Sequence, residues 1–272
     1  SDVDSLIDVY RDRYKFSYTV DEQAFMHQVQ GQAKIELALD AFLGDVGARA
    51  FCTNFQDLHG MDQLPGLAAQ RMMEKGYGFA GEGDWKTAAM VRLLKVMGTA
   101  LGGGASFMED YTYHLEQNAM LDLGAHMLEL CPTIAKGKPT LEVHPLGIGD
   151  RSDPARLVFD GRPGRALCVA LVDMGTRFRL VVSQVESVET PEAFKRLPVA
   201  RVLWKPLPDL VTASEAWILA GGGHHTAYSD AIGLEQVRTF AEMTGIECVA
   251  IGQETSIPRF RDELRWNAAN YR

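Results

Sequence analysis

The sequence predicts an α/β region followed by a β-rich, antiparallel, barrel-like domain with flanking helices. Three observations carry that expectation. Helix-spaced apolar stripes dominate the chain before Gly104, with a strand-like run between them. Short β-rich runs separated by glycine turns follow, and two helices close the chain. Gly102, Gly103 and Gly104 mark the change of pattern, so the α/β region is read as residues 1–104 and the barrel-like domain as 105–272.

Asp21 to Leu43 is rich in helix formers, with Phe25, Val29, Ile35, Leu39 and Phe42 spaced as a buried stripe that Gly31 interrupts. Ala48 to Phe55 reads as a buried strand. Pro65 suits a first helical turn, Leu67 to Lys75 continues the helix, and Gly76 supplies its C-terminal cap. Asp84 is an N-cap for a helix running to about Leu101, apolar nearly all round and therefore buried. After Gly104, the runs Leu157–Phe159, Ala166–Val172 and Phe178–Val188 read as strands of a meander or small barrel. Leu234 to Met243 is a helix ended by Gly245, Ile246 to Ile251 is a strand, and a last helix follows Pro258.

Composition excludes several function classes. The chain has 272 residues, 46% hydrophobic and 23% charged, which places it among ordinary globular proteins. A net charge of -9 argues against a nucleic-acid binder, which needs a basic surface. No apolar run approaches a membrane span, and the first residues lack the pattern of a signal peptide. The chain starts at Ser1 rather than Met, which suggests a piece of a longer protein. Cys52, Cys131, Cys168 and Cys248 stand far apart with no CxxC pair, so buried, reduced thiols in a cytosolic protein are expected.

Three segments combine glycine with ionisable residues. In Gly76–Trp85, glycines crowd around Glu82, which lies just before the helix start at Asp84. In Ser106–His114, a strand would put Phe107, Glu109, Tyr111 and Tyr113 on one face, a carboxylate beside aromatic rings. Met108, Asp110, Thr112 and His114 would take the other face. His126 sits in an otherwise apolar run, where a lone histidine is more often a hydrogen-bonded core residue than a ligand. Gly221–Gly223 lead directly into His224 and His225, and packing alone does not readily account for them. No P-loop, GxGxxG, HExxH or GxSxG is present. Two carboxylates and two imidazoles would make a mixed oxygen and nitrogen site, better suited to Mn²⁺ or a related ion than to Ca²⁺ or a thiolate zinc site.

Taken together, GYGFAGEGDWKTAA (76–89), SFMEDYTYH (106–114), GAHMLELCP (124–132) and AGGGHHT (220–226) resemble the L-arabinose isomerases. The segments NFQDLHG (54–60), QLPGLA (63–68), HPLGIG (144–149), DPARLVF (153–159), TASEAWILA (212–220) and LRWN (264–267) resemble them too, in the same order along the chain. The resemblance implies the fucose/arabinose isomerase-like fold, here the last part of a middle domain plus the C-terminal domain. It implies metal ligands at Glu82, Glu109, His126 and His225, with His224 taking the last place if the glycine run shifts by one residue. It implies substrate contacts at Phe55 and Ile148. The implied cofactor is Mn²⁺, with Co²⁺ or Mg²⁺ as alternatives. The implied substrate is L-arabinose, with D-galactose also accepted, in a cytoplasmic homo-oligomer that is hexameric in the family.

The activity so implied is aldose–ketose isomerisation, L-arabinose to L-ribulose through a cis-enediol. Glu82 and Glu109 are the catalytic pair: one carboxylate carries the proton between C2 and C1, and the second group handles the oxygen proton. The resemblance also implies that an N-terminal half supplies sugar contacts to a neighbouring subunit. A non-catalytic metal- or carbohydrate-binding remnant is the alternative.

Overall fold

The structure, a computed structural model, describes residues 1–271 apart from positions 118 and 149. Helices α1 (Asp2–Arg13), α2 (Glu22–Asp45), α3 (Gly66–Glu74) and α4 (Trp85–Met97) alternate with strands β1 (Lys15–Phe16), β2 (Ala50–Cys52) and β3 (Gly78–Ala80). Strands β4 (Ala105–His114), β5 (Leu121–Ala125), β6 (Thr140–Val143), β7 (Ala155–Val158), β8 (Gly164–Asp173), β9 (Phe178–Val188) and β10 (Arg201–Pro206) follow. The chain closes with α5 (Leu210–Ala220), β11 (His225–Ser229), α6 (Leu234–Thr244), β12 (Glu247–Ile251) and α7 (Ile257–Asn270). Among the described residues no helix is long and apolar enough to cross a membrane.

The barrel is a closed ring. Strands run β10-β5-β4-β11-β8-β9, each antiparallel to the next, and β9 returns to β10 through pairs such as Leu203 with Val188. Strand β9 is long enough to do this because its two halves have different outer partners. Its first half takes β12 in parallel and its second half takes β10, while β8 pairs along the whole of it. Inside the ring, Met108, Cys168, Trp204 and Tyr228 are buried together. Gly124 makes room for them, since a Cβ there would overlap the Trp204 ring.

The α/β region packs against the outside of this ring. Phe79 and Leu94 share one buried cluster with Phe107, Leu167 and Val182, so the core runs without interruption across residue 104. Helices α1, α2 and α3 are tied by buried polar contacts: the Tyr10 hydroxyl donates to Glu36 at 2.7 Å, and Arg71 reaches the same carboxylate at 3.3 Å. Such a group has to be matched at every polar atom to be tolerable inside.

Several elements differ from the sequence expectation for physical reasons. The strand expected over 48–55 is only Ala50–Cys52, since beyond it the chain turns towards the site. Helix α4 stops at Met97 rather than near Leu101, with Gly98 as its cap. Of the later glycines, Gly102 and Gly103 adopt positive φ, and a Cβ on Gly104 would sit 2.7 Å from the Thr133 carbonyl oxygen. Helix α2 runs straight through Gly31, where a Cβ would overlap the Gln63 side chain.

Candidate metal and sugar site

The three central strands of one barrel wall bring the predicted residues together. Glu109 on β4 is the direct cross-strand partner of His225 on β11. On its other side it pairs with Ala125 of β5, and His126 is the next residue. Register therefore fixes Glu109 between two imidazoles, on the face that carries Phe107. The Phe107 ring lies 4.7 Å from that of His126 and 4.9 Å from that of His225. This apolar floor separates the two histidines, whose rings are 5.9 Å apart.

Glu82 approaches from the turn between β3 and α4. It is held in the left-handed region at φ 57°, between Gly81 and Gly83. A non-glycine residue there stores strain of order 1–3 kcal/mol, which the surrounding structure has to offset. Gly81 lies against His126, so close that an added Cβ would be 3.2 Å from the ring. Asp84, two residues on, caps α4 by accepting from the Thr87 amide at 3.0 Å. Its second oxygen meets His225 Nδ1 at 3.3 Å. Burial would raise the Asp84 carboxyl, but hydrogen bonds from His225 and Thr87 hold it well below the usual carboxylate range.

The two histidines share one design. His225 engages Asp84 through Nδ1 and turns Nε2 towards Glu82 at 3.8 Å. His126 engages Glu129 through Nδ1 and turns Nε2 towards Glu109 at 3.9 Å. Both rings are more than nine-tenths buried. Burial alone would lower the His126 pKa, but the charge and hydrogen bond of Glu129, with Glu109 and Glu82 behind, carry it above its ordinary value. His225 Nε2 is a buried atom without a hydrogen-bond partner. A carboxylate on one ring nitrogen fixes the tautomer that leaves the other free as a ligand, so these residues fit a divalent cation.

The remaining predicted residues are placed as follows. His224 is exposed and lies beside His225 with ring centroids 4.3 Å apart and the planes tilted by 57°. Glu82, His224 and His225 can each offer a ligand atom within 4.8 Å of one another, a group that Glu109 and His126 do not join. The buried, unpartnered Nε2 belongs to His225. Phe55 lines a narrow cavity with Glu82 and His126; Leu146 lines it too, while Ile148 is half-buried two residues farther along. Gly149, the end of that motif, lies outside the described residues. Arg156 joins the surrounding loops by donating to the Met127 and His144 carbonyls at 3.0 and 2.7 Å.

Three expectations are corrected here. Tyr113 does not share a face with Glu109, because β4 carries a bulge between Asp110 and Thr112 that shifts the register. Tyr113 then pairs with Asp122 inside the barrel, and its hydroxyl donates to Asp110. Packing accounts for one glycine of the run before the histidines, since a Cβ on Gly222 would overlap the Trp217 indole; Gly221 is there for its left-handed cap conformation, and Gly223 has open space around it. All four cysteines are free, but Cys52 is exposed rather than buried. Burial pushes the Cys248 thiol up to about 11, which makes it a poor nucleophile.

Residues 1–100 match the family described as the L-arabinose isomerase central domain, and residues 104–247 match the L-arabinose isomerase C-terminal domain. The chain belongs to the L-arabinose isomerase family. Relatives named L-arabinose isomerase include that of Geobacillus stearothermophilus, 56% identical over 271 residues, covering 99% of this chain and 54% of the relative. That of Erwinia tasmaniensis is 55% identical over 273 residues, covering 100% and 54%. That of Klebsiella pneumoniae is 53% identical over 272 residues, covering 99% and 54%. The chain thus spans about half the length of the curated L-arabinose isomerases it matches.

Sequence reasoning missed Glu129 altogether and saw Asp84 only as a helix cap. Glu129 had a signal, a carboxylate three residues after His126. Asp84 had none, because its second partner, His225, is 141 residues away.

Proposed function

We propose that this chain carries the metal-binding part of an aldose–ketose isomerase that interconverts L-arabinose and L-ribulose, with D-galactose as a second substrate. The supporting observation is the doubled pattern of a carboxylate on Nδ1 and a glutamate facing Nε2 at both His126 and His225. Glu82, Glu109, His126 and His225 would hold Mn²⁺, or Co²⁺ or Mg²⁺ in its place. When bound, the cation would supply positive charge that stabilises the negative charge developing on the sugar.

The chain's own residues divide the remaining work. His126 and His225 are buried and fixed by Glu129 and Asp84, so their role is to hold geometry rather than to move. The side chains of Glu82 and Glu109 are 41% and 26% exposed, accessible to a sugar while still near the imidazoles. One of them takes the C2 proton and returns it at C1 through a cis-enediol, and the other serves the oxygen proton. Phe55 closes the cavity beside Glu82 and His126 and shields the reacting face from water.

The test is L-ribulose formation with Mn²⁺ supplied, by this chain alone and by this chain mixed with the N-terminal half of a relative. Glu109→Gln is predicted to lower turnover by about 10²–10⁴-fold, since an amide of the same size accepts no proton at neutral pH. Mn²⁺ bound with no turnover in either mixture would refute the isomerase reading.

A further inference from the structure

The inner face of the same wall carries a second constellation. Alternation puts Glu109 outside the barrel and Asp110 inside, and the bulge in β4 turns Tyr113 inward as well. There the open barrel mouth, covered by α5, forms a cavity of about 190 Å³. Asp110, Asp122, Tyr113, Trp204, Trp217 and His224 line it, and no lysine or arginine does among the described residues. Asp122 is only 6% exposed. Oδ1 of Asp122 and Oδ1 of Asp110 are both buried without a hydrogen-bond partner. Burial first, and the nearby Asp110 second, push the Asp122 carboxyl up to about 8.

Below that value Asp122 is neutral and the pair carries one charge, so a cation that joined the two acids would take the place of the proton. The walls that would receive such a cation are aromatic, and each is fixed by a glycine. Gly124 lets Trp204 lie against β5, and Gly222 lets Trp217 lie against the loop after α5. Trp217 Nε1 is tied to the Gly223 carbonyl at 2.9 Å, which sets its ring plane. Indole faces attract ammonium groups as well as the apolar stems that carry them. A metal ion fits less well. Beyond Asp110, Asp122 and His224, the described lining offers hydroxyls, the Cys168 thiol and apolar or aromatic side chains, a poor shell for such an ion. A neutral polyol would bring no charge to replace the proton.

We propose that this barrel mouth is a second ligand site, on the opposite face of β4 from the histidine–glutamate cluster, which binds a small organic ammonium ion. The carboxylates of Asp110 and Asp122 take the ammonium head, and Trp204 and Trp217 flank its apolar stem. The ligand class is a primary amine on a short aliphatic body.

The experiment titrates n-butylammonium into this chain at pH 9, above the Asp122 value of about 8 and below the ~10.4 of an alkylammonium, in the presence of a chelator, following tryptophan emission and heat. The expected result is saturable binding at least about tenfold tighter than that of n-butanol, a difference of about 1.4 kcal/mol. Asp122→Asn, which keeps the shape and removes the charge, weakens butylammonium at least about tenfold. Ser214→Phe, which plugs the mouth from half-buried α5, abolishes binding and covers the case in which the first variant misfolds. Equal affinity for butanol, undiminished binding in either folded variant, or no saturable binding at millimolar concentration would overturn the site.

Discussion

His126 and His225 each give one ring nitrogen to a carboxylate and keep the other for a glutamate's side of the site. The positioning carboxylates are therefore separable from the ligands themselves. Asp84→Asn keeps an N-cap of equal quality for α4, and Glu129→Gln keeps an acceptor for His126. Both variants are predicted to fold with little change, yet to weaken Mn²⁺ binding about 10–100-fold, read by calorimetric titration. Unchanged dissociation constants would show that the tautomers are set by something else. Asp122 gives a second residue-level prediction. Its ordinary value is 3.8 and burial with Asp110 lifts it to about 8, so the folded state holds this proton more tightly than the unfolded state does. The stability it contributes is complete below about pH 4 and is lost as pH rises through about 8. Asp122→Asn should flatten the fall in thermal midpoint across that window and melt higher than the parent at pH 8. Each kcal/mol recovered corresponds to about 2–4 °C in a chain of this size. Parallel pH profiles for the two proteins would contradict it.

At the scale of elements, strands with clean alternation were legible and those built for close approach were not. Leu167, Val169 and Leu171 on β8, and Phe178, Leu180 and Val182 on β9, announce strands through their spacing alone. Strand β5 hides behind Asp122 and Gly124, which are poor strand residues chosen for the barrel interior. Strand β11 is a short HTAYS run that only its neighbours β4 and β8 make into a strand. The bulge in β4 left no mark in the sequence, so the expectation that Tyr113 flanks Glu109 failed at the one residue where alternation breaks. The helix starting after Asp84 was legible because its cap is local, three residues from the amide it satisfies. Gly124 carries the prediction at this scale. Gly124→Ala forces the Trp204 ring and Met108 to move inside a closed barrel, and should cost about 1–3 kcal/mol in urea unfolding. An unchanged midpoint would mean that the interior is looser than its packing indicates.

For the whole molecule, the four motif residues come from four separate places: the β3–α4 turn, β4, the end of β5 and the start of β11. Motif resemblance could name them, but only barrel closure explains why they meet, since it makes β5, β4 and β11 neighbours despite the 98 residues between His126 and His225. The α/β region completes the arrangement by carrying Glu82 and Asp84 over the outer wall on the end of α4, whose packing against Phe107 and Leu167 is continuous with the barrel core. Under the proposed function, Glu82, Glu109, His126 and His225 hold one divalent cation. The most direct measurement is the thermal midpoint of the chain with saturating Mn²⁺ and with chelator, in the parent and in Glu82→Ala and His225→Ala. Metal that binds only the folded state adds about 2.7 kcal/mol at a hundred times its dissociation constant, and that gain should vanish in both variants. Equal midpoints with Mn²⁺ and with chelator in the parent, or a full gain retained in the variants, would contradict the site.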